Sequence, residues 1–142
     1  MVKNLFYEHK PIRSVSSLCG ALRIPGMSRR QLIHLAGTAN DYFRVAKEIP
    51  KVNGVRVVHD VREPLKTVHR SIHNRIFGAA IFPSYLSGGI KGRSTKLHAQ
   101  PHVGAEILIN EDISNFFPSI TQQQVSDLCI YGFGFAPEVA SL

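Results

Sequence analysis

The sequence predicts an α+β chain in which helices and one β-hairpin lead into a further, buried strand. Three stretches carry that expectation. Asn53-Gly54 lies between two β-rich segments, and both residues tolerate the positive φ of a tight hairpin turn. Glu63 to Ile81 repeats its apolar residues at helical period, with Leu65, Val68, Ile72, Ile76 and Ala80 on one stripe. Ile107, Leu108 and Ile109 form an apolar run, rich in β-branching, of the kind that packs on a pleated surface.

In chain order, residues 1–13 are a poorly specified lead-in. Ser14 or Ser16 caps a short helix carrying Val15, Leu18 and Leu22, which stops near Pro25-Gly26. Ser28 caps a second helix with Leu32, Ile33, Leu35 and Ala36 inward, stopping around Gly37. Tyr42 to Ile49 and Val55 to Asp60 are the hairpin strands, with Lys51 near the tip and Arg56 just past the turn. Cations at a hairpin tip suit a phosphate chain, with lysine as point charge and arginine as fork; they are equally at home in solvent. On the following helix Lys66, Arg70 and Arg75 lie mostly off the apolar stripe, and His69 and His73 sit four apart without a third metal ligand. Pro83 to Ser94 is glycine-rich, without the Gly-Lys-Ser/Thr ending of a nucleotide P-loop. Its Lys91 and Arg93 suit close approach to sugar-phosphate, and a plain flexible connection fits as well. Ser94 or Thr95 caps a short helix through Ala99. After the central strand, Ser119 or Thr121 caps a helix over 122–131 with Val125, Leu128 and Cys129 inward, and Pro137 opens another.

Charge is unevenly placed along the 142 residues, whose net charge is +7. Between Arg44 and Lys96 there are eleven Lys/Arg against three acids, whereas 97–142 holds five acids and no Lys or Arg. That distribution fits a polyanion on one part and a divalent cation on the other, or a solvated surface with accidental asymmetry. Cys19 and Cys129, far apart and outside any CxxC spacing, point to a reducing compartment. The N-terminus lacks a signal-peptide core and no apolar run approaches a membrane span. A soluble, cytoplasmic protein with no membrane partner is therefore expected.

The apolar run ends in Glu111 and Asp112, and the chain then reaches Phe116, Phe117 and Pro118. An acid delivered to a strand edge beside bulky aromatics fits a metal site next to a flat ligand. An exposed strand end followed by a core aromatic pair is the other reading. A metal hydrolase built from Asp112, His98 and His102 lacks the paired acid or base such a site needs.

Taken together, IPKVNGVR (49–56), EPLKTVHRSI (63–72), SGGIKGRS (87–94), HAQPHVG (98–104) and INEDISNFFPSI (109–120) resemble the N-terminal half of a bacterial reverse transcriptase of the retron and group II intron type. The resemblance covers residues 15–142, and DISNFFPSI is close to a signature by itself. His69 departs from the family's glutamine, Ser87-Gly88-Gly89-Ile90 from its Gly-Phe pattern, and His98 from its asparagine. These departures bear on template contacts and packing.

The resemblance implies an incomplete polymerase fold: an N-terminal helical extension over 1–41, fingers over 42–104, and the first part of an antiparallel palm sheet over 105–142. It implies an RNA-directed DNA polymerase, a nucleotidyltransferase that takes RNA template–primer, dNTP and Mg²⁺. Asp112 is then the first carboxylate of a two-metal site, and the carbonyl of Ile113 a second ligand. Lys51 and Arg56 clamp the triphosphate, the N–H groups of Asn115 and Phe116 support it, and Phe117 is the steric gate against a ribose 2′-hydroxyl. Lys66, Arg70, Lys91 and Arg93 are expected on nucleic acid. The family's Tyr-x-Asp-Asp pair, its Gln-Gly-x-x-x-Ser-Pro segment and its thumb are not among these residues. The chain alone is thus expected not to polymerise, and a second polypeptide or another copy is expected to complete the palm. A non-catalytic RNA-binding or assembly module is the competing expectation.

Overall fold

The computed structural model describes residues 6–7, 11–52 and 54–142, and the class is α+β. Helix α1 (Val15–Leu22) starts where the extended Ser14 accepts the Ser17 N–H at 3.1 Å, satisfying one orphan donor of the first turn. It stops at Arg23, whose N–H still donates to the Cys19 carbonyl while its left-handed φ of 48° turns the following chain out of the helix. Helix α2 (Arg29–Gly37) opens on a reciprocal capping box between Ser28 and Gln31. Leu32 and Leu35 are buried, but Ile33, expected inward, is 42% exposed. One residue on from Leu32, it is rotated about 100° off the buried stripe.

The hairpin pairs β2 (Phe43–Lys51) with β3 (Gly54–Val61), close to the expected bounds; Asn53 of its turn lies outside the described residues. Helix α3 (Leu65–Arg75) is shorter than the period suggested. Gly78, a poor helix former, sits in a 3₁₀ turn that follows, and Ala80–Ile81 becomes a short strand paired antiparallel with Phe6–Tyr7. Further on come α4 (Thr95–Ala99), capped by Ser94, and the single turn α5 (Phe116–Ser119). Then α6 (Gln122–Asp127) opens on a Thr121–Gln124 capping box and runs into a π turn, and α7 (Pro137–Ala140) has Pro137 in its first turn.

The core gathers Val15, Leu18 and Leu22 from α1, Leu32 and Leu35 from α2, and Leu65, Val68 and Ile76 from α3 and its end. Ile12, Phe133, Phe135 and Val139 close it. The Ala136 N–H donates to the Ile12 carbonyl at 3.0 Å, and Phe133 lies between Phe77 and Phe135 with ring centroids 5.6 Å from each. Residues from each of the three expected segments thus share one small core.

Two expectations fail here. No strand forms at Ile107–Ile109, whose side chains are 58–80% exposed. A strand is held by ladder hydrogen bonds to a neighbour, and among the described residues none lies beside this run, so its backbone groups turn to solvent. Among the described residues, 105–142 therefore contribute no strand to an antiparallel sheet. Val125 and Leu128, expected inward, are 48% and 40% exposed, while Cys129 is half-buried. Burial pushes the Cys129 thiol up, away from the reactive thiolate.

Candidate nucleic-acid interface

Strand register fixes where the hairpin cations stand. Ile49 pairs with Arg56 and Lys51 with Gly54; directly paired residues share a face, and side chains alternate along each strand. Lys51 and Arg56 therefore lie diagonally on one face, both exposed. The hairpin itself is exposed on both sides along most of its length.

Its base is held by charge. Asp60 accepts from Arg44 Nη2 at 2.9 Å and from Lys66 Nζ at 3.0 Å, so one carboxylate links both strands to α3. Arg62 reinforces this by donating to the Asp41 carbonyl at 2.7 Å. The Arg44 guanidinium, then the Lys66 ammonium, hold the Asp60 carboxyl well below the usual carboxylate range. A depressed folded-state value means that the linkage is complete above about pH 4, the unfolded value, and is lost as pH falls below it. Acidification is therefore expected to lower protection from hydrogen exchange, relative to the intrinsic rate at the same pH, at the hairpin base before the core opens, and Asp60→Asn to reproduce that state at neutral pH. Exchange at 43–61 that is unchanged in the variant would refute the linkage.

Three of the cations expected on nucleic acid are engaged within the protein. Lys66 is on Asp60, and Arg70 lies 3.8 Å from Glu63. The Glu63 carboxyl is itself lowered, first by the Thr67 hydroxyl, which donates to it at 2.7 Å. Arg93 is spent on the loop: its guanidinium donates to the carbonyls of Phe82, Pro83, Ser84 and Leu86. The five N–H donors of a planar guanidinium reach four carbonyls, one more than the three donors of an ammonium can each serve. Arg93→Ala and Arg93→Lys are both expected to open the loop to chymotrypsin at Tyr85 and Leu86. Wild-type cleavage rates in either would count against this role. Lys91 stays exposed on the same loop.

Around the acid, Asp112 and Ile113 are exposed, and Asn115 adopts the left-handed φ of 53° that asparagine tolerates better than most residues. That turn launches α5, closed by the Ser119 N–H on the Asn115 carbonyl at 3.1 Å. Phe116 and Phe117 meet edge to face at 5.3 Å, and Phe117 is 80% exposed. Asp112 thus lies in exposed irregular chain just before the turn that launches α5, and Phe117 lies just after it. Among the described residues no three His, Cys, Asp or Glu side chains gather as a metal set. His98 and His102, the partners of the hydrolase reading, lie edge to face at 5.8 Å. The His69 ring lies 6.4 Å from that of Phe43, and His73 is hydrogen-bonded to Asn74.

Comparison with known proteins adds a decisive observation. The chain is 28% identical over 135 residues to the retron Se72 reverse transcriptase of Salmonella heidelberg, covering 94% of this chain and 35% of that protein. It is 32% identical over 130 residues to the retron Ec48 reverse transcriptase of Escherichia coli (83% and 31%). With the retron Mx65 reverse transcriptase of Myxococcus xanthus it shares 30% over 135 residues (92% and 31%). By sequence, this chain belongs to the retron reverse transcriptases. It spans about a third of the length of these curated relatives. Similarity over 94% of the chain takes in both the hairpin and the Asp112–Phe117 turn of this retron-family sequence. No family model and no solved structure matches it. No helix among the described residues is long and apolar enough to cross a membrane.

The sequence reading missed the Arg44–Asp60–Lys66 linkage. Asp60 is the one acid of β3, which was a signal, but its partner Arg44 becomes visible only once the strand register is known.

Proposed function

We infer that these residues are the fingers and first palm segment of an RNA-directed DNA polymerase, acting on RNA template–primer and dNTP. The observation that carries the reading is the DISNFFPSI turn, where an exposed carboxylate and an exposed aromatic ring stand five residues apart, in a chain of retron reverse transcriptase ancestry. Lys51 and Arg56, on one hairpin face, bind the triphosphate and neutralise charge growing on its oxygens. The N–H groups of Asn115 and Phe116 orient the same phosphates. Phe117 fills the space that a 2′-hydroxyl needs, and Lys91 meets sugar-phosphate from its loop.

A carboxylate oxygen suits Mg²⁺, which when bound supplies Lewis-acid activation and charge neutralisation for phosphoryl transfer. Asp112, with the Ile113 carbonyl, contributes one side of that site. A single acid does not hold two ions, so further carboxylates come from another segment, another polypeptide or another copy.

The exposed basic face of the hairpin also suits a second reading, a non-catalytic RNA-binding module. Metal dependence separates the two. In a chimera carrying residues 1–142 in place of the matching segment of the retron Ec48 reverse transcriptase, Asp112→Ala is expected to abolish primer extension and leave RNA affinity intact. Extension that survives the substitution would refute the polymerase assignment. The 142 residues alone are expected to bind RNA and not extend a primer.

A further inference from the structure

The hairpin ladder slips once. Val45 pairs with His59 and Lys47 with Val58, so Ala46 is an extra residue, a β-bulge. Unbroken alternation would set Arg44 on the opposite face from Lys47 and Lys51. With the bulge, Arg44, Lys47 and Lys51 share a face with Arg56 and Asp60, as the Arg44–Asp60 ion pair attests. Phe43, Val45, Val55, Val57 and Val61 fall on the other face. The bulge therefore sorts the hairpin into a basic side and a mainly apolar side.

On the basic side Asp60 takes up Arg44 and Lys66, while Lys47 is exposed and stands two residues from Ile49, the partner of Arg56. Arg56 is thus midway between Lys47 and Lys51, which are four residues, about 13 Å, apart along the strand. That row is longer than one triphosphate group and matches the repeating phosphates of a polynucleotide. We propose that Lys47 is a phosphate-binding residue for the nucleic-acid strand, extending the basic face beyond the reach of the nucleotide bound at the tip. The assignment rests on the reading that Lys51 and Arg56 bind phosphate.

The test measures affinity of the 142-residue chain for a labelled single-stranded oligoribonucleotide across a salt series, and for dATP separately. Lys47→Ala is expected to weaken RNA binding and to reduce the salt slope by about 0.7, one phosphate contact. Lys47→Arg should keep both and Lys47→Glu should lose more, while dATP affinity stays unchanged in all three. If Lys51→Ala and Arg56→Ala weaken binding and Lys47→Ala does not, the Lys47 assignment falls and the triphosphate reading stands. Loss of dATP affinity rather than RNA affinity in Lys47→Ala would also overturn it. If none of the three substitutions matters, both readings fail together.

Discussion

Phe117→Ala in the Ec48 chimera is expected to admit ribonucleotides, lowering dNTP-over-rNTP selectivity by roughly 10–100-fold, or about 1.4–2.7 kcal/mol in the transition state. The ring is 80% exposed and sits on a turn launched by Asn115, so removing it deletes little packing within this chain. Its edge-to-face contact with Phe116 at 5.3 Å is the main intramolecular interaction at stake. An effect on sugar choice would therefore reflect the ligand rather than the fold. Single-nucleotide incorporation with matched dNTP and rNTP reads it directly, and unchanged selectivity would remove Phe117 from the gate.

Leu22→Ala should produce the largest loss of stability. Leu22 is 1% exposed and packs where α1 meets α3, whose Ser71 hydroxyl also donates to the Leu22 carbonyl. Large-to-small changes at such sites cost about 2–5 kcal/mol, against a total of about 5–15 kcal/mol for a domain of ordinary stability. Among the described residues twelve buried apolar side chains make up the core, so each carries a large share of it. Urea denaturation should show the loss, with Ile33→Ala on the exposed side of α2 within about 0.5 kcal/mol of wild type. Equal effects from the two would mean the core is drawn in the wrong place.

Local signals in the sequence were read well where the chain decides for itself. Ser14, Ser28, Ser94 and Thr121 cap helices as their positions suggested, because a cap is a bond across three residues. Gly54, at φ 129°, adopts the positive φ expected of the hairpin turn. What failed depended on neighbours. Ile107–Ile109 has the composition of a strand but no partner among the described residues to ladder with. Val125 and Leu128 have an apolar stripe with too little to cover it. At the candidate site, Asp112, Phe117, Lys51 and Arg56 were singled out by the resemblance to reverse transcriptases and all four are exposed, whereas the engagement of Lys66, Arg70 and Arg93 inside the protein was not legible in the sequence. Each of those partners sits where only folding brings it, as does Asp60 beside Arg44 through the Ala46 bulge.

The role of Asp112 as a metal ligand is tested most directly by changing the ligand atom. In the Ec48 chimera, Asp112→Cys replaces a hard oxygen with a soft thiolate, which disfavours Mg²⁺ and favours softer ions. Primer extension is expected to be lost in Mg²⁺ and partly restored by Mn²⁺ or Cd²⁺, with Asp112→Ala inactive in all three. Full activity of Asp112→Cys in Mg²⁺, or the same ion profile in both variants, would contradict a metal bound at this residue.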